Sequence, residues 1–244
     1  MVITPMFRET IMGTLIDFPP VKESTHRLRL LQLASGTMPV GAFTYSQGLE
    51  MAVESGWISD VDSLEGWVGN VLDVGVATVD VPLFKRMYAA YVDADLETGQ
   101  RWIDLLLACR ETLELRQEER QRGRAFARLL PQLEPRAEED IVRHVGQCQL
   151  AGQAWLCAQW GLDPQASIET FTWSWMENLV LAGVKLIPLG QSQGQQSILR
   201  LGDRIPAMVA AGLDLHDDAI GSGCQSLAIA SSLHETQYTR LFRS

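Results

Sequence analysis

The sequence predicts an all-α, single-domain bundle of about eight to ten helices. From His26 onward, apolar residues recur at helical rather than alternating spacing. Gly161, Asp163 and Pro164 suit a helix stop, an N-cap and a first helical position, so they fix one helix boundary closely. No stretch alternates polar and apolar residues between turns, which argues against a sheet. A chain of 244 residues, 46% of them hydrophobic, can bury a sizeable core.

The chain divides into three parts by pattern. Residues 1–25 carry Pro5, Pro19 and Pro20, mixed charge and no sustained period, which predicts a poorly ordered N-terminal arm. Residues 26–233 hold the helical pattern and form the predicted domain. Residues 234–244 form a tail that is richer in apolar and cationic side chains than a frayed end requires, which favours docking on a partner.

The first helix is expected to stop before Pro39, and a Pro-Val-Gly turn should lead to a new helix near Thr44. Gln47 could complete a capping box for that helix, and Ser59 with Asp62 suggests a capping pair at the next one. Further helices are predicted over residues 81–92, 100–130, 136–160, 164–186, 197–211 and 225–233. Small-residue runs within 146–158 and at 182–183 predict close helix crossings, because glycine in a helix interior usually has a packing reason.

Charge and hydropathy limit the partners and the compartment. The formal net charge of −10 repels a phosphate backbone, so nucleic acid is not an expected partner. No run of eighteen apolar residues occurs, and no membrane association is expected. Arg8, Glu9 and Asp17 interrupt the stretch where a signal peptide would need unbroken apolar residues, so a cytoplasmic location is expected.

The sequence contains almost no catalytic signature. It has no GxSxG elbow, no HExxH and no CxxC pair, and the glycines near 190 lack the Gly-Lys-Ser/Thr of a phosphate-binding loop. His144 and Cys148 could share a helix face, but two ligands are too few for a closed metal site, and core packing is the favoured interpretation. His216 and Asp217 lie in an acidic cluster that is more typical of a helix start. A small metal-dependent helical enzyme would need these four residues to converge.

Two other polar stretches have ordinary interpretations. Residues 116–128 carry five arginines interleaved with Glu118 and Glu119, which most simply indicates a solvated helix face with i,i+4 pairs. The Gln-rich, glycine-broken stretch 188–196 is first interpreted as a connector between two helices. Neither stretch by itself predicts a site.

Three segments contain more specific sequence motifs than a generic helical pattern requires. They are LLQLASGTMPVGAFTYSQGLE at residues 30–50, KLIPLGQ at 185–191 and HETQYTRLFRS at 234–244. In this order and separation they closely resemble the urease accessory protein F (UreF) family, and the resemblance covers about residues 27–244. It implies a non-catalytic, all-helical homodimer that assists nickel insertion into apo-urease. Such proteins join accessory protein D or H, recruit the GTPase accessory protein G and dock on urease, with nickel only in transit and no resident cofactor.

The resemblance also implies which residues bind partners. Phe43 matches the family's aromatic after Gly-Ala and is expected to pack near the C-terminal arginine on the GTPase-recruiting surface. Arg240 is expected to make a bidentate contact that fixes the tail. The full set of expected partner-binding residues is Phe43, Tyr45, Lys185, Gln191, Tyr238, Arg240, Leu241 and Phe242. Two alternatives stay open: the tail packs on its own monomer, or the protein is a helical binding module without a link to nickel.

Overall fold

A computed structural model describes residues 10–11, 14–15 and 21–244. The predicted N-terminal arm therefore lies largely outside the described residues. Its last five residues differ from the prediction, because helix α1 begins at Val21. Two short strands, β1 (Thr10–Ile11) and β2 (Thr14–Leu15), pair antiparallel with Thr10 opposite Leu15.

The rest of the described chain is helical, which confirms the predicted all-α, single-domain bundle. Its α-helices are α1 (Val21–Ala34), α2 (Leu49–Glu54), α3 (Val61–Asn70), α4 (Val81–Val92), α5 (Leu96–Ala108), α6 (Leu113–Leu133), α7 (Glu139–Val145), α8 (Gln149–Gln159), α9 (Pro164–Leu186), α10 (Gln191–Gly202), α11 (Ile205–Leu213) and α12 (Gln225–His234). A π-helical segment, Val71–Asp80, joins α3 to α4 without a break. Short 3₁₀ turns cover Ala42–Thr44 and Asp217–Ala219.

Three long predicted helices are each divided in two by a short turn. Thr112 caps α6 through its side chain, which separates α5 from α6. Gly146 ends α7, and a break at Asp203 and Arg204 precedes Pro206 in α11. The apolar stripe continues across each turn, so periodicity alone does not reveal the breaks. The Gln-rich stretch is also not the predicted connector throughout, since α10 begins at Gln191.

The cap of α3 lies one residue later than predicted. Asp60 has extended backbone geometry, and its carboxylate accepts a hydrogen bond from the Ser63 amide at 2.9 Å. The Ser63 hydroxyl in turn accepts from the Asp60 amide at 3.1 Å. The capping box is therefore Asp60 with Ser63, rather than Ser59 with Asp62.

The core is built around α4, α8 and α9, and the predicted close crossings are confirmed. A Cβ on Gly152 of α8 would lie 2.5 Å from the Phe126 ring of α6, and one on Gly183 of α9 would lie 2.6 Å from Leu64 of α3. On α6, a Cβ on Gly123 would lie 2.7 Å from the backbone of Cys148. Small residues thus let these helix backbones approach each other.

One continuous helical stretch, Val61–Val92, is long and apolar enough by composition to cross a bilayer. However, 72% of its apolar window is buried inside the protein. That burial is typical of a core helix in a folded domain. The stretch also contains Asp80, a buried carboxylate that faces a cavity of the bundle.

Candidate functional site

The site begins at the corner between α1 and α2, here called the proline corner (residues 35–48). Gly41 and Gly48 have φ angles of +73° and +75°, a left-handed conformation that favours glycine. A Cβ on Gly48 would lie 2.9 Å from the Ser231 amide, so this glycine also lets the corner lie against α12. The helix expected near Thr44 is only a 3₁₀ turn, and α2 begins five residues later.

Gln47 has a different role from the predicted cap. Its backbone φ is +52°, and its side chain points into the bundle. The side-chain nitrogen donates to Glu118 at 2.9 Å, and its oxygen accepts from the Trp175 indole at 3.0 Å. Tyr45 is buried beside it and donates to Gln121 at 2.8 Å. Both side chains therefore join the corner to α6 and α9.

The C-terminal tail begins at Glu235, one residue later than predicted, because α12 ends at His234. This tail, residues 235–244, is seated on the proline corner. The amides of Ser46 and Gln47 donate to the main-chain oxygen of Ser244 at 2.5 and 2.9 Å, and the Ser46 hydroxyl donates to it at 2.7 Å. The Arg243 amide donates to the Thr44 carbonyl at 2.9 Å. Two segments that are about 200 residues apart in the sequence therefore form one surface.

Four charged or titratable side chains hold this tail, and we call them the tail clamp: Glu50, Glu114, His234 and Arg240. Glu50 accepts hydrogen bonds from the amides of Leu241 at 2.6 Å and Phe242 at 2.9 Å. His234 is fully buried, with Nδ1 at 2.7 Å from Glu114 and Nε2 at 3.3 Å from Glu50. The clamp thus fixes the tail backbone with buried polar contacts.

Arg240 fixes the tail in a different way from the expected bidentate contact. One guanidinium nitrogen donates to Glu114 at 2.6 Å. The other two guanidinium nitrogens donate to main-chain carbonyl oxygens: Nη2 donates to Glu235 at 2.9 Å, and Nε donates to Gln237 at 3.1 Å. Arg240 therefore closes a turn within the tail as well as binding α6.

The clamp sets which tail side chains face solvent. Tyr238 is fully exposed and Leu241 is 66% exposed, whereas Phe242 is only 6% exposed. The Lys185 ammonium lies 5.9 Å from the centre of the Phe242 ring, within range of a cation–π contact. The tail therefore packs on its own monomer and still presents two apolar side chains outward.

A small groove joins three of the expected site residues. Phe43, Lys185 and Gln191 line an open cavity of about 200 Å³ together with residues of α9. Phe43 is 64% exposed. Lys185 lies in the last turn of α9, where a cation interacts favourably with the helix dipole. The structure thus brings these three residues together beside the tail.

A cavity of about 50 Å³ behind the corner is lined by both charged and apolar residues, and no motif in the sequence predicted it. Arg110 lies between Asp80 at 2.5 Å and Glu119 at 3.1 Å. Burial alone would lower the pKa of Arg110, but these two carboxylates raise it well above its usual value. In the sequence, a single carboxylate, Asp80, follows the largely apolar residues 74–79, and this is the one signal that could have indicated a buried charge here.

The stretch 116–128 is not the uniformly solvated, paired face that was predicted. Glu118 and Arg122 make the one i,i+4 ion pair there among the described residues, at 2.8 Å, and both are largely buried. Glu119 binds Arg110 and accepts from the Gln149 amide at 3.2 Å. This part of α6 therefore contributes charge to the interior.

The structure does not bring the four residues of the alternative enzyme together as a metal site. His144 lies 3.3 Å from the Tyr91 hydroxyl, and burial lowers its pKa. Cys148 is fully buried, which raises the pKa of its thiol. Asp217 is paired with Arg86. Across the described ranges, no three His, Cys, Asp or Glu side chains are grouped as a metal site would require.

Residues 58–202 match the UreF family model, and this match covers more than half of the chain. The chain belongs to the UreF family. It is 50% identical over 218 residues to the urease accessory protein UreF of Klebsiella pneumoniae subsp. pneumoniae, covering 89% of this chain and 97% of the relative. UreF from Alcanivorax borkumensis is 46% identical over 222 residues, with 88% and 97% covered. Family membership supports an accessory role in urease maturation.

Proposed function

We propose that this UreF-family protein is a non-catalytic adaptor in the nickel-insertion complex that activates apo-urease. In this proposal it bridges accessory protein D or H and the GTPase accessory protein G in the cytoplasm. The observation that carries the proposal is the docked tail, whose clamped backbone presents Tyr238 and Leu241 outward beside the proline corner. A rigid, preformed surface of this kind binds a partner at a lower entropic cost than a free tail.

The surface proposed for accessory protein D or H extends from the tail onto the neighbouring helices. Ile229 and Leu233 are exposed one turn apart on α12. Leu113 is exposed at the start of α6, and its amide donates a hydrogen bond to the Glu235 carboxylate of the tail at 3.0 Å. With Tyr238, these side chains supply apolar and aromatic groups of the kind that anchor protein interfaces.

The surface proposed for the GTPase is the groove that contains Phe43, Lys185 and Gln191. It combines an exposed aromatic ring, of the kind that anchors protein interfaces, with a cation and an amide that can make polar contacts. Lys185 also contacts the Phe242 ring, so the two proposed surfaces meet at the tail. A chain with two adjoining surfaces can bridge two partners.

The homodimer is proposed to form at a third surface. An apolar groove of about 510 Å³ runs between α1, α9 and α11, and it is lined by Leu30, Leu31, Trp173 and Ile205. Leu31 is about two-thirds exposed. An apolar groove with an exposed leucine at its edge fits the same face of a second copy.

The test is co-expression with the D/H, G and urease proteins, followed by affinity purification. Tyr238→Ala with Leu241→Ala should lose D/H, whereas Phe43→Ala should lose the GTPase and keep D/H. The control is Val92→Ala, which changes a 60% exposed apolar residue on α4 and should keep both partners. Arg240→Ala should reduce recovery of both, and unchanged recovery of both partners would refute the adaptor role.

Two outcomes would favour the other functions. Turnover of a substrate by the purified protein without partners would favour the metal-dependent enzyme. Normal nickel loading of urease in a deletion strain would favour a binding module without a link to nickel. Reduced urease activity that is restored by the wild-type gene, but not by the tail variants, is the result expected for the adaptor.

A further inference from the structure

Helix α6 presents a row of unpaired arginines on a face that is separate from the corner and the tail. Arg120, Arg124 and Arg128 are all exposed and line an open groove of about 620 Å³ between α5, α6 and α7. Arg143 of α7 also lines this groove, and it is paired with Asp140 of the same helix at 3.2 Å. Within residues 21–244, none of the three guanidinium groups makes an ion pair or a hydrogen bond.

This arrangement is unfavourable for the isolated chain. Like charges four residues apart destabilise a helix by about 0.2–0.5 kcal/mol per pair. The chain has 30 acidic residues against 20 basic ones, so carboxylates for pairing are abundant elsewhere. Yet among the described residues that line the groove there is one carboxylate, Asp104, which accepts a hydrogen bond from Gln100 at 2.9 Å. The groove is therefore a locally positive surface on an acidic protein.

The spacing of the arginines indicates the shape of the anion that they fit. Residues four apart on an α-helix are separated by about 6 Å along its axis, so the row spans about 12 Å. A single phosphate or carboxylate would engage one or two members of such a row. An extended ligand with a negative charge at each helical turn would engage all three, and guanidinium groups bind carboxylates with good geometry.

The lining of the groove distinguishes between extended anions. Leu107, Ala127 and Val142 are half-buried along it and offer apolar contacts. A nucleic-acid strand would present phosphates at similar spacing, but it has no aliphatic side chains to pack against these three residues. An amphipathic peptide has carboxylates on one edge and apolar side chains on the other, which matches both parts of the groove.

We propose that this arginine groove binds an acidic, amphipathic segment of a partner protein whose carboxylates lie one helical turn apart. None of its lining residues belongs to the proline corner or the tail. The interaction is thus additional to the two partner surfaces of the proposed adaptor, and it can be tested without those partners.

The probe is a synthetic peptide of about fifteen residues, long enough to form a marginal helix. It carries glutamate at every fourth position and leucine on the adjacent face, and binding to the full chain is measured by fluorescence anisotropy. The test variant is Arg124→Gln with Arg128→Gln. The matched control is Lys22→Gln with Arg27→Gln, which changes net charge equally on exposed positions of α1.

Peptide binding that weakens about fivefold to tenfold in the α6 variant, but not in the control, supports the proposal, as does weakening by added salt. Equal weakening in both variants would overturn it, because non-specific charge would then explain the binding. An absence of peptide binding would also overturn it. So would equal affinity for a peptide with its glutamates clustered at one end, or tighter binding of a single-stranded oligonucleotide.

Discussion

Replacing Glu50 with alanine should release the C-terminal tail while the bundle stays folded. The Glu50 carboxylate accepts hydrogen bonds from the Leu241 and Phe242 amides, at 2.6 and 2.9 Å. A hydrogen bond to a charged group contributes about 1.5–3 kcal/mol, so the pair contributes at least about 3 kcal/mol. Since about 1.4 kcal/mol is tenfold in an equilibrium constant, opening of the tail should become at least about one-hundredfold more favourable.

Native-state hydrogen exchange at these two amides measures this change directly. Exchange at Leu241 and Phe242 should accelerate about one-hundredfold relative to the core amide of Ile103 in α5, which corrects for any global loss of stability. Glu97→Ala, on the exposed face of α5, is the charge-matched control and should leave the tail amides unchanged. Tail exchange within threefold of the wild-type rate would refute the assignment of Glu50 as the main anchor of the tail.

Three further changes test the interior. Gly123→Ala should lower the free energy of unfolding by about 1–3 kcal/mol in urea denaturation, because the new Cβ would lie 2.7 Å from the backbone of Cys148. The control Gly66→Ala has open space around the new Cβ and should raise the free energy of unfolding by up to about 1 kcal/mol. Arg110→Met should cost about 3–5 kcal/mol in the same assay, because it removes the cation shared by the buried Asp80 and the largely buried Glu119. Burial lowers the pKa of His144, so as the pH falls through 6.5 the unfolded chain binds a proton at this residue before the folded chain does. The free energy of unfolding therefore declines as the pH falls. His144→Phe should flatten that decline between about pH 7 and 5, and an unchanged slope would contradict this.

The parts of the fold that local signals specify could be predicted from the sequence. Gly161, Asp163 and Pro164 carry the chemistry of a stop, a cap and a start, and α9 begins at Pro164 as predicted. The division of residues 100–130 into α5 and α6 was missed. Its turn depends on the Thr112 hydroxyl, which also contacts the Ser231 hydroxyl of α12 at 2.7 Å. The cap that this hydroxyl gives to the Leu115 amide is a local signal, which the continuous apolar stripe obscured. The contact with Ser231 is tertiary, so a local pattern cannot contain it.

In the candidate site too, the motif residues could be predicted from the sequence, whereas the residues defined by tertiary contacts could not. Phe43, Lys185 and Gln191 were expected from the family motifs, and the structure places them around one groove. The acidic half of the tail clamp was not expected, because Glu50 and Glu114 lie on helices where a carboxylate normally indicates a solvated face. Their role depends on the tail reaching them across more than 120 residues of sequence. Motifs therefore identified the residues of the surface but not the buried groups that orient it.

The polar nature of the clamp explains how a tail can pack on its own monomer and still serve recognition. An apolar anchor has no preferred direction and would let the tail slide or rotate. A carboxylate that accepts from two consecutive amides fixes the backbone at Leu241 and Phe242, so one side chain must point inward and the other outward. Buried polar groups carry a desolvation cost that apolar packing avoids, and here they provide a single orientation. In the proposed adaptor, that orientation is what a partner would recognise.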